Sequence, residues 1–587
     1  EINSLLLILG VFGLITPQLA AVLHNSTTVG IRSFASEDIS LDDNSQSLST
    51  DSGDVSAISD SDLAAVAADS DLATVDSEDG LLKDALDAIY VNATGGNDEN
   101  DGSDWTKAYK TIGSALNNVN ADGTIYLDDG VYSLNETLNI NKNVVIRGTS
   151  QNGTVIDAAA IDSSTIKRAI SITQGSIVGI NSLTIRNAWM DPTLTEYGAG
   201  INNLGNLSLD SVSVINCSAY NTGGVDNSGT LTVNNCYFAN NSALGVGGNK
   251  NRCRDAGAIS NLGSATVTNS YFTDNYASGN GAGIKNQGSN LYVSNCTFVN
   301  SLASTTNGYG GAIYSWGTPA QIYNSTFINS TCQYGGAIGF DQNHATQTTK
   351  YIIKGCVFID NTQAVCGGAI YIDSSKDSEI NDNIFINSSA SLAGDAEGDG
   401  TVIGTGAFSD HAGVENTSLE NNFWGSVDAS GFDSSLISSA FAAPSNYIIF
   451  NVSADVTELQ LGETSNINVA FVNNDGTAVT SDLPASVVTA SAGSGALSQE
   501  EFELSANPVA ITYTPSGSST QDTVVISMNG ISVSIPMTIE TEIKNIYVNA
   551  TGGDDLNKGK SWETALQTIG KALELISDEG TIYLADG

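Results

Sequence analysis

One short stretch of this acidic chain gathers basic side chains around a carboxylate. Lys250, Arg252 and Arg254 stand beside Asp255 in the segment 249–255, the only basic cluster among the 20 lysines and arginines. A lysine or arginine next to a calcium-bound carboxylate can abstract a proton from an acidic sugar, which is the first step of a lyase. The sequence therefore offers this cluster as a candidate for enzymatic chemistry. A solvated loop would have the same composition and is the plainer interpretation.

A second group of oxygen-bearing side chains follows the first predicted strand. It reads Asn97-Asp98-Glu99-Asn100-Asp101-Gly102, and Asp554-Asp555-Leu556-Asn557 matches it near the other end of the chain. Carboxylate and amide oxygens are the ligands that Ca²⁺ prefers. The EF-hand spacing, however, would place the bidentate glutamate where Ala108 stands. We interpret the segment as a polar turn, keep calcium binding as the alternative, and assign no metal ligand.

Other reactive side chains form no recognisable catalytic constellation. The three histidines are His24, His344 and His411, far apart in the chain. The seven cysteines include no Cys-x-x-Cys pair, so a zinc site has no support. A net charge of −44 argues against binding to nucleic acid or anionic lipid, because both need clustered lysine and arginine. We expect no catalytic residue and no cofactor.

The elements that would position such residues repeat along the chain. The motif Gly-Gly-Ala-Ile occurs at 310–313, 335–338 and 367–370, with looser copies before them. A repeat of 24 to 34 residues with two anchors indicates a solenoid. The apolar anchors are Ile201, Val225, Ile259, Ile284, Ile313, Ile338 and Ile370. The aromatic anchors are Phe238, Phe272, Phe298, Phe327, Phe358 and Phe385.

The apolar pieces are short, alternating and β-branched, and residues that favour turns separate them. This pattern predicts an all-β protein whose first large domain is a right-handed parallel β-helix, each coil stacking its inward side chains on the next. A ladder of turn asparagines should share one position, namely Asn216, Asn235, Asn269, Asn295 and Asn324. Four cysteines should share the next position as small apolar core residues, namely Cys217, Cys236, Cys296 and Cys356.

Composition changes along the chain predict five segments. Residues 1–23 contain the apolar run 5–22 and are interpreted as a truncated signal peptide, with an N-terminal membrane anchor as the alternative. Residues 24–88 form an acidic Ser/Asp-rich tether. The β-helix spans 89–445, and 446–542 is predicted to be an Ig-like β-sandwich without cysteine. Residues 543–587 start a second β-helix.

The opening of the β-helix is duplicated. A helix predicted at 106–119, with Ala108, Ile112, Ala115 and Leu116 on one face, should cover the open end of the first coil. Residues 546–587 repeat 89–130 at a constant offset of 457 and are identical at 25 of 42 positions. We therefore expect a fragment of a longer protein with tandem solenoids.

Gly-Gly-Ala-Ile paired with Phe-x-x-Asn, as at 358–361, resembles the repeat of chlamydial polymorphic membrane proteins. The whole layout is more similar to adhesin-like surface proteins of methanogenic archaea. The features that carry this similarity are the opening Ile-Tyr-Val-Asn-Ala-Thr-Gly-Gly, the closing Asn-Asn-Phe-Trp-Gly at 421–425 and the Ig-like module. The resemblance implies a secreted or cell-surface protein that binds a surface glycan or protein and performs no catalysis.

Two alternatives remain open. Parallel β-helices also include pectin lyases and polygalacturonases, although the Gly-His-Gly and Arg-x-Lys patterns of the latter are absent. A purely structural envelope component is the other alternative. If the protein binds a partner, the insertions 244–255 and 340–350 should carry contact residues. The exported chain would also present glycosylation sequons, for instance at Asn92, Asn135, Asn152, Asn206, Asn324, Asn329, Asn387, Asn416 and Asn451.

Overall fold

The computed structural model describes residues 86–586 except 195, 246–255, 307, 342–348, 391–401, 405–413, 429, 517–518 and 541. This part of the chain is built mostly of β-strands, and most of them pair in parallel. The prediction of an all-β protein with long parallel sheets is therefore confirmed. The predicted signal peptide and nearly all of the tether lie outside the described residues, and the first strand begins at Leu86.

Two parallel sheets, here called sheets 1 and 2, run the length of the solenoid, and two long strands, Ile177–Arg186 and Asn206–Ile215, pass through both. The other strands of sheet 1 are Leu86–Val91, Val119–Leu127, Val144–Gly148, Thr230–Asn234, Ser264–Thr268, Asn290–Ser294, Ala320–Tyr323, Tyr351–Lys354 and Glu379–Asn381. The other strands of sheet 2 are Gly130–Ser133, Thr154–Asp157, Tyr237–Ala239, Tyr271–Thr273, Thr297–Val299, Thr326–Ile328, Val357–Ile359, Ile384–Ile386 and Asn422–Phe423.

Sheet 3 has ten strands, and short strands, here called sheet 4, lead towards it in each coil. The strands of sheet 3 are Leu138–Ile140, Ile170–Ile172, Ile201–Asn203, Val225–Asn227, Ile259–Asn261, Ile284–Asn286, Ile313–Trp316, Ile338–Asp341, Ile370–Ile372 and Ile403–Gly404. The strands of sheet 4 are Ile166–Lys167, Trp189–Met190, Ser218–Ala219, Ser242–Ala243, Tyr276–Ala277, Thr331–Tyr334, Thr362–Cys366 and Ser389–Ala390. A separate pair joins Ser375–Lys376 to Val414–Glu415.

Both predicted anchor series lie in register on successive coils. The apolar series pairs residue by residue in sheet 3, from Ile201 through Ile370 and on to Ile403. The phenylalanine series stacks face to face in sheet 2, with centroid distances of 4.8 Å from Phe238 to Phe272 and 4.5 Å from Phe272 to Phe298. The core is therefore a set of columns that run along the axis of the solenoid.

From the strand Ile177–Arg186 onwards, the coils turn at left-handed corners, which is why asparagine and aspartate recur there. The first corner joins sheets 1 and 2 and is occupied by Ser182, Ser211, Asn235, Asn269, Asn295, Asn324, Gly355, Asp382 and Asn421, all with positive φ. The second corner follows sheet 2 and is occupied by Asn187, Asn216, Asn240, Asp274, Asn300, Asn329, Asp360 and Asn387. The predicted ladder was wrong for Asn216, which lies at the second corner and is exposed.

The residue after most of these corners is buried and polar, and several of these residues accept a hydrogen bond from the coil before. The amide N–H of Cys236 donates to Ser270 Oγ at 3.0 Å, that of Cys296 to Ser325 Oγ at 3.1 Å. Cys236 Sγ in turn accepts the N–H of Val212 at 3.4 Å, so this cysteine side chain takes part in the hydrogen bonding and is not merely apolar. Cys217 does not belong to them, since it follows the second corner and its N–H donates to Asn241 Oδ1.

A second buried polar column, absent from the sequence prediction, ends the strands of sheet 3. The Nδ2 of Asn203 donates to Asn227 Oδ1, Asn227 to Asn261 and Asn261 to Asn286, each at 2.7 Å. All four side chains are fully buried. The amides of Asn203, Asn227 and Asn261 also donate to backbone carbonyls of the following turn and of the next coil. Asn286 donates instead to the hydroxyls of Ser315 and Thr318.

The N-terminal helix, α1, is shorter than predicted and spans Ile112–Asn118, with Thr111 as its N-cap. The predicted first turn is instead a 3₁₀ helix, Trp105–Lys107, followed by extended backbone. Tyr109 is the reason, because its N–H and C=O bond to the strand Leu86–Val91 and hold the chain in a β conformation. The buried side chains of α1 join the solenoid core.

Two sheets of mostly antiparallel strands follow the last coil and enclose a common core. One sheet contains Tyr447–Ala454, Ser465–Asn473, Val509–Thr514 and Ala496–Leu497. The other contains Glu458–Gln460, Ile531–Glu540, Gln521–Met528, Ser486–Ala492 and Glu501–Leu504. The sandwich is continuous with the solenoid, because Tyr447–Ala454 pairs with Asn422–Phe423. A further 3₁₀ helix, Ser434–Leu436, precedes it.

The C-terminal unit repeats the opening of the solenoid in structure as well as in sequence. Strands Asn545–Val548 and Thr581–Leu584 pair in parallel, and helix α2 spans Ile569–Leu575 with Thr568 as its N-cap. Two ion pairs join the loop before helix α2 to the sandwich, Lys558 to Glu463 at 2.5 Å and Lys560 to Glu540 at 2.6 Å.

Candidate functional site

Some coils are longer than the others, and their additional residues adjoin strands of sheet 3. Five residues separate sheet 4 from sheet 3 between Ala219 and Val225, but fifteen separate Ala243 from Ile259. On the other side of sheet 3, two residues follow Asn227 before the next strand, whereas nine follow Asp341. The predicted insertion 244–255 thus precedes one strand of sheet 3, and the predicted insertion 340–350 starts at the end of another. The outer face of sheet 3 is therefore the candidate functional surface.

Glycine turns cover much of this face. A left-handed glycine lies in the turn before the strands that begin at Ile201, Ile284, Ile313, Ile338 and Ile370, with φ of +62° at Gly310 and +69° at Gly335. A Cβ on Gly335 would collide with the carbonyl oxygen of Ile338 and lie 2.8 Å from the amide nitrogen of Tyr371 on the next coil. Only glycine allows this approach. The turns therefore lie directly over the outward-pointing middle residues of the strands.

Three polar residues occupy successive middle positions under these turns. Asp226, Ser260 and Lys285 lie in register on adjacent strands, and each is 4% exposed. Burial raises the pKa of Asp226, while hydrogen bonding to Ser260 and the charge of Lys285 act in the opposite direction. Thr222 Oγ1 also donates to Asp226 Oδ1 at 3.4 Å. This group is a compensated, covered set of charges in the middle of the face, on the fourth to sixth of its ten strands.

Four tyrosines form a cluster further along the same face. Tyr309 stacks on Tyr334 with ring centroids 4.8 Å apart, and the two belong to the turns of successive coils. Tyr371 lies 5.2 Å from Tyr334 and 5.4 Å from Tyr309, and Tyr314 lies 6.0 Å from Tyr309. Tyr314 and Tyr371 are buried, whereas Tyr309 and Tyr334 are partly exposed. The cluster therefore presents aromatic surface to solvent on a fixed base.

Two carboxylates stand beside the tyrosines. Asp341 and Asp373 hold equivalent places on neighbouring strands, and the N–H of Asp373 donates to the carbonyl of Phe340 at 2.9 Å. Tyr314 Oη donates to Asp341 Oδ2 at 3.2 Å. Burial, followed by the charges of Asp341 and Asp373 among others, raises the pKa of Tyr309. We call Tyr309, Tyr314, Tyr334, Tyr371, Asp341 and Asp373 the tyrosine–aspartate cluster.

Sequence reasoning pointed near this cluster without naming it. Asp341 opens the predicted insertion 340–350, and Trp316, 37% exposed, lies in register with Asp341. The signal was present in the motif itself, because a tyrosine precedes the Gly-Gly pair at Tyr309 and Tyr334 and follows the isoleucine at Tyr314 and Tyr371. Only the coil register shows that these positions converge.

Several predicted candidates lie outside the described residues. They are Lys250, Arg252, Arg254 and Asp255 of the basic cluster, the histidines His24, His344 and His411, and Cys253. Of the insertion 244–255 only Leu244 and Gly245 are described, and both hydrogen-bond to the preceding coil. The six described cysteines are buried, and none of them is paired in a disulfide.

The calcium candidate forms a hydrogen-bonded turn. Asp98 accepts the N–H groups of Lys110 and Thr111 at 2.9 Å, and Asp555 makes the same contacts in the C-terminal unit. Hydrogen bonds from Ser103, together with Lys107, lower the pKa of Asp101 to about 2. Over the described ranges, no three His, Cys, Asp or Glu side chains are grouped as a metal centre requires. These carboxylates hold the loop onto α1 and α2.

No protein-family model matches this chain, and no curated protein matches it. Among solved structures, the chain is similar to a GH136 lacto-N-biosidase from Eubacterium ramulus, with 12% identity, a TM-score of 0.30, and coverage of 57% of this chain and 68% of the other. It is also similar to a rhamnogalacturonan lyase, with 11% identity, a TM-score of 0.30, and coverage of 57% and 87%. Among the described helices, none has the length and apolar character needed to span a bilayer.

Proposed function

We propose that this chain is an adhesin-like rod displayed at the cell surface, which binds an extended partner along the solenoid. Its first domain is a right-handed parallel β-helix, and its sandwich is an Ig-like module. Parallel columns of stacked side chains support the first assignment. Two facing sheets of mostly antiparallel strands support the second. The signal-like N-terminal run and the acidic tether support export.

One observation carries the binding role. Two insertions, 244–255 and 340–350, adjoin strands of sheet 3, and the outer face of this sheet bears the tyrosine–aspartate cluster. A rigid solenoid that holds loops and exposed aromatic rings on one lateral surface has the organisation of a recognition site. Tyrosine is suited to this purpose because it offers a large, rigid contact surface with a polar tip.

The binding role is tested on the purified chain and on cells. The chain should bind a subset of a glycan array or partner cells, and Tyr334→Ala should weaken that binding at least tenfold. Tyr292→Ala is the matched control, because Tyr292 is also partly exposed but lies on sheet 1. If the chain binds neither glycans nor cells while its deletion weakens the envelope, the structural role replaces the adhesive one.

A polysaccharide-degrading enzyme is the second candidate, and Asp341 with Asp373 favours it. Glycosidases use a pair of carboxylates on either side of the scissile bond. These two aspartates lie on adjacent strands beside an aromatic surface that could seat a sugar ring. Incubation with neutral and uronic-acid polysaccharides should release no product under the binding proposal. Product release that Asp341→Asn abolishes would establish the enzymatic role instead.

A further inference from the structure

We propose that the C-terminal unit is joined to the sandwich by a hinge, which the ion pairs Lys558–Glu463 and Lys560–Glu540 hold closed and which opens as the salt concentration rises. The sandwich itself is fixed to the solenoid. This inference does not depend on the proposed binding role, because it concerns how the parts of the chain are joined. It follows from the difference between the two junctions, from the placement of the lysines and from the exposure of the paired charges.

The junction between the solenoid and the sandwich is part of a continuous core. Ile384 and Ile386 of sheet 2 are buried in the same apolar cluster as the inward side chains of the sandwich. The strands Asn422–Phe423 and Tyr447–Ala454 also pair across this junction. A rotation here would expose buried apolar surface and break backbone hydrogen bonds. The solenoid and the sandwich should therefore move as one body.

The junction between the sandwich and the C-terminal unit is built differently. The apolar cluster of the unit, which includes Ile546, Val548 and Leu566, is separate from that of the sandwich. A cavity of about 660 Å³ lies between the two, lined by Ile539 on one side and Asn545 on the other. In the part of the chain that the structure describes, no backbone hydrogen bond crosses this junction. Units that share no large apolar interface are expected to move relative to each other.

The lysines at this junction are specific to the second copy of the repeated unit. Residues 446–540, which form the sandwich, contain no lysine or arginine, so a neighbouring part of the chain must supply any cation. At the constant offset of 457, Lys558 stands where the first copy has Asp101. Lys560 likewise stands where the first copy has Ser103. The second copy thus carries positive charge where it meets the acidic sandwich, which is the complementarity of a specific contact.

Both ion pairs are accessible to solvent. The side chains are 58% exposed for Lys558 and 23% for Glu463, and 35% for Lys560 and 40% for Glu540. Such pairs are individually weak, and salt screens their attraction over about 8 Å at physiological ionic strength. A junction held by these pairs should therefore exchange between a closed and an open form, and salt should favour the open form. The apolar junction on the other side of the sandwich should not respond.

Single-molecule energy transfer on the full chain tests the hinge. One dye pair replaces the exposed residues Glu500 and Leu556 and spans the hinge, whereas a second pair at Thr266 and Glu500 spans the junction with the solenoid. The dyes are attached through azide-bearing residues, which leaves the cysteines unmodified. Between about 0.05 M and about 0.5 M NaCl, the ratio of open to closed molecules should rise at least threefold for the first pair. The second pair should give one unchanged distance.

Charge variants at low salt separate the ion pairs from general flexibility. Lys558→Gln combined with Lys560→Gln should give the open distribution without added salt. Lys571→Gln is the matched control, because it breaks a pair with Glu574 inside the unit and should behave like the parent. The exchange of Glu540→Lys with Lys560→Glu should restore most of the closed form that Lys560→Glu alone removes.

Three results would overturn the hinge. The first is a distance across the hinge that stays fixed in salt and in the double glutamine variant. The second is a broad distribution that neither salt nor the charge variants change, since the ion pairs would then not hold the closed form. The third is equal broadening of both dye pairs, which would mean that the junction with the solenoid is no more rigid than the other.

Discussion

The amide N–H of Cys236 donates to the hydroxyl of Ser270 on the following coil, at 3.0 Å. The left-handed corner before each of these residues turns the amide out of the sheet, so the next coil must supply its acceptor. The same position holds Cys296 and Cys356 in later coils, where burial raises the pKa of each thiol to about 12. These cysteines are thus protonated structural groups rather than reactive ones.

Substitution of Ser270 tests this hydrogen bond. Ser270→Ala leaves the buried N–H of Cys236 without an acceptor, which should destabilise the solenoid by about 1–3 kcal/mol. Ser270→Cys should cost less, because Cys236 and Cys296 fill the same place on the coils directly before and after it. The midpoint of urea denaturation measures both. Equal destabilisation by the two variants would mean that volume, and not the acceptor, decides this position.

Asn261 is the central link of the buried amide column in sheet 3. Its Nδ2 donates to Asn286 Oδ1 and its Oδ1 accepts from Asn227 Nδ2, both at 2.7 Å. Asn261→Ala should destabilise the chain by about 2–4 kcal/mol, because it leaves polar partners unsatisfied and opens a cavity. The exposed corner variant Asn300→Ala should cost less in the same denaturation experiment. A comparable loss at Asn300 would contradict the importance of burial.

The turn glycines predict a sharp contrast between two alanine variants. Gly335→Ala forces a side chain onto a left-handed residue and into the backbone of its own strand, and should cost more than about 2 kcal/mol. Gly113→Ala in α1 meets no atom within 4 Å and should be neutral or stabilising by up to about 1 kcal/mol. Thermal melting measures the difference. A tolerated Gly335→Ala would show that the turn does not pack on the next coil.

Acid should weaken the sandwich through Asp522. Burial alone would raise its pKa, but the N–H groups of Ser494, Gly495 and Thr523 and the hydroxyl of Tyr513 lower it to about 2. The folded pKa lies below the ordinary value near 4, so this stabilisation is full above pH ~4 and disappears as the pH falls towards 2. The contribution is about 2 kcal/mol.

Melting of the sandwich between pH 5 and pH 2, followed by circular dichroism, measures this contribution. Asp522→Asn should be less stable at pH 5 and should show a flatter pH dependence. Asp482→Asn, at an exposed position of the same domain, should follow the parent. An unchanged slope in Asp522→Asn would exclude Asp522 as the titrating group.

Much of the solenoid was predictable from the sequence because its core is periodic. Ile313 and Phe298 mark inward positions, and inward positions recur whenever a coil closes. It was harder to predict which asparagines lie at the first corner and which at the second. Asn216-Cys217 has the same letters as the first-corner pair Asn295-Cys296, but the preceding Ser211 already occupies the first corner of that coil. Both corners need a residue that tolerates the left-handed conformation, so the residue types alone do not distinguish the two corners.

The functional face was less predictable for a related reason. Tyr309 and Tyr371 lie 62 residues apart, and neither belongs to a motif with known chemistry. Their proximity depends on how the glycine turns fold over sheet 3, which spacing does not specify. The insertion that begins beside Asp341 was visible as a break in the period, and the break indicated where to look but not which side chains would meet.

The stacking of coils also determines how the molecule responds to a pull. Backbone hydrogen bonds between coils run along the axis of the rod, as in the pairing of Thr230–Asn234 with Ser264–Thr268. Tension between the two ends therefore opens one coil at a time instead of shearing a whole sheet. A folded coil adds about 4.8 Å of length, whereas its ~30 residues reach roughly 100 Å when extended. Under the proposed adhesive role, a load on the chain would be relieved by the opening of single coils while the coils that bind the partner stay folded.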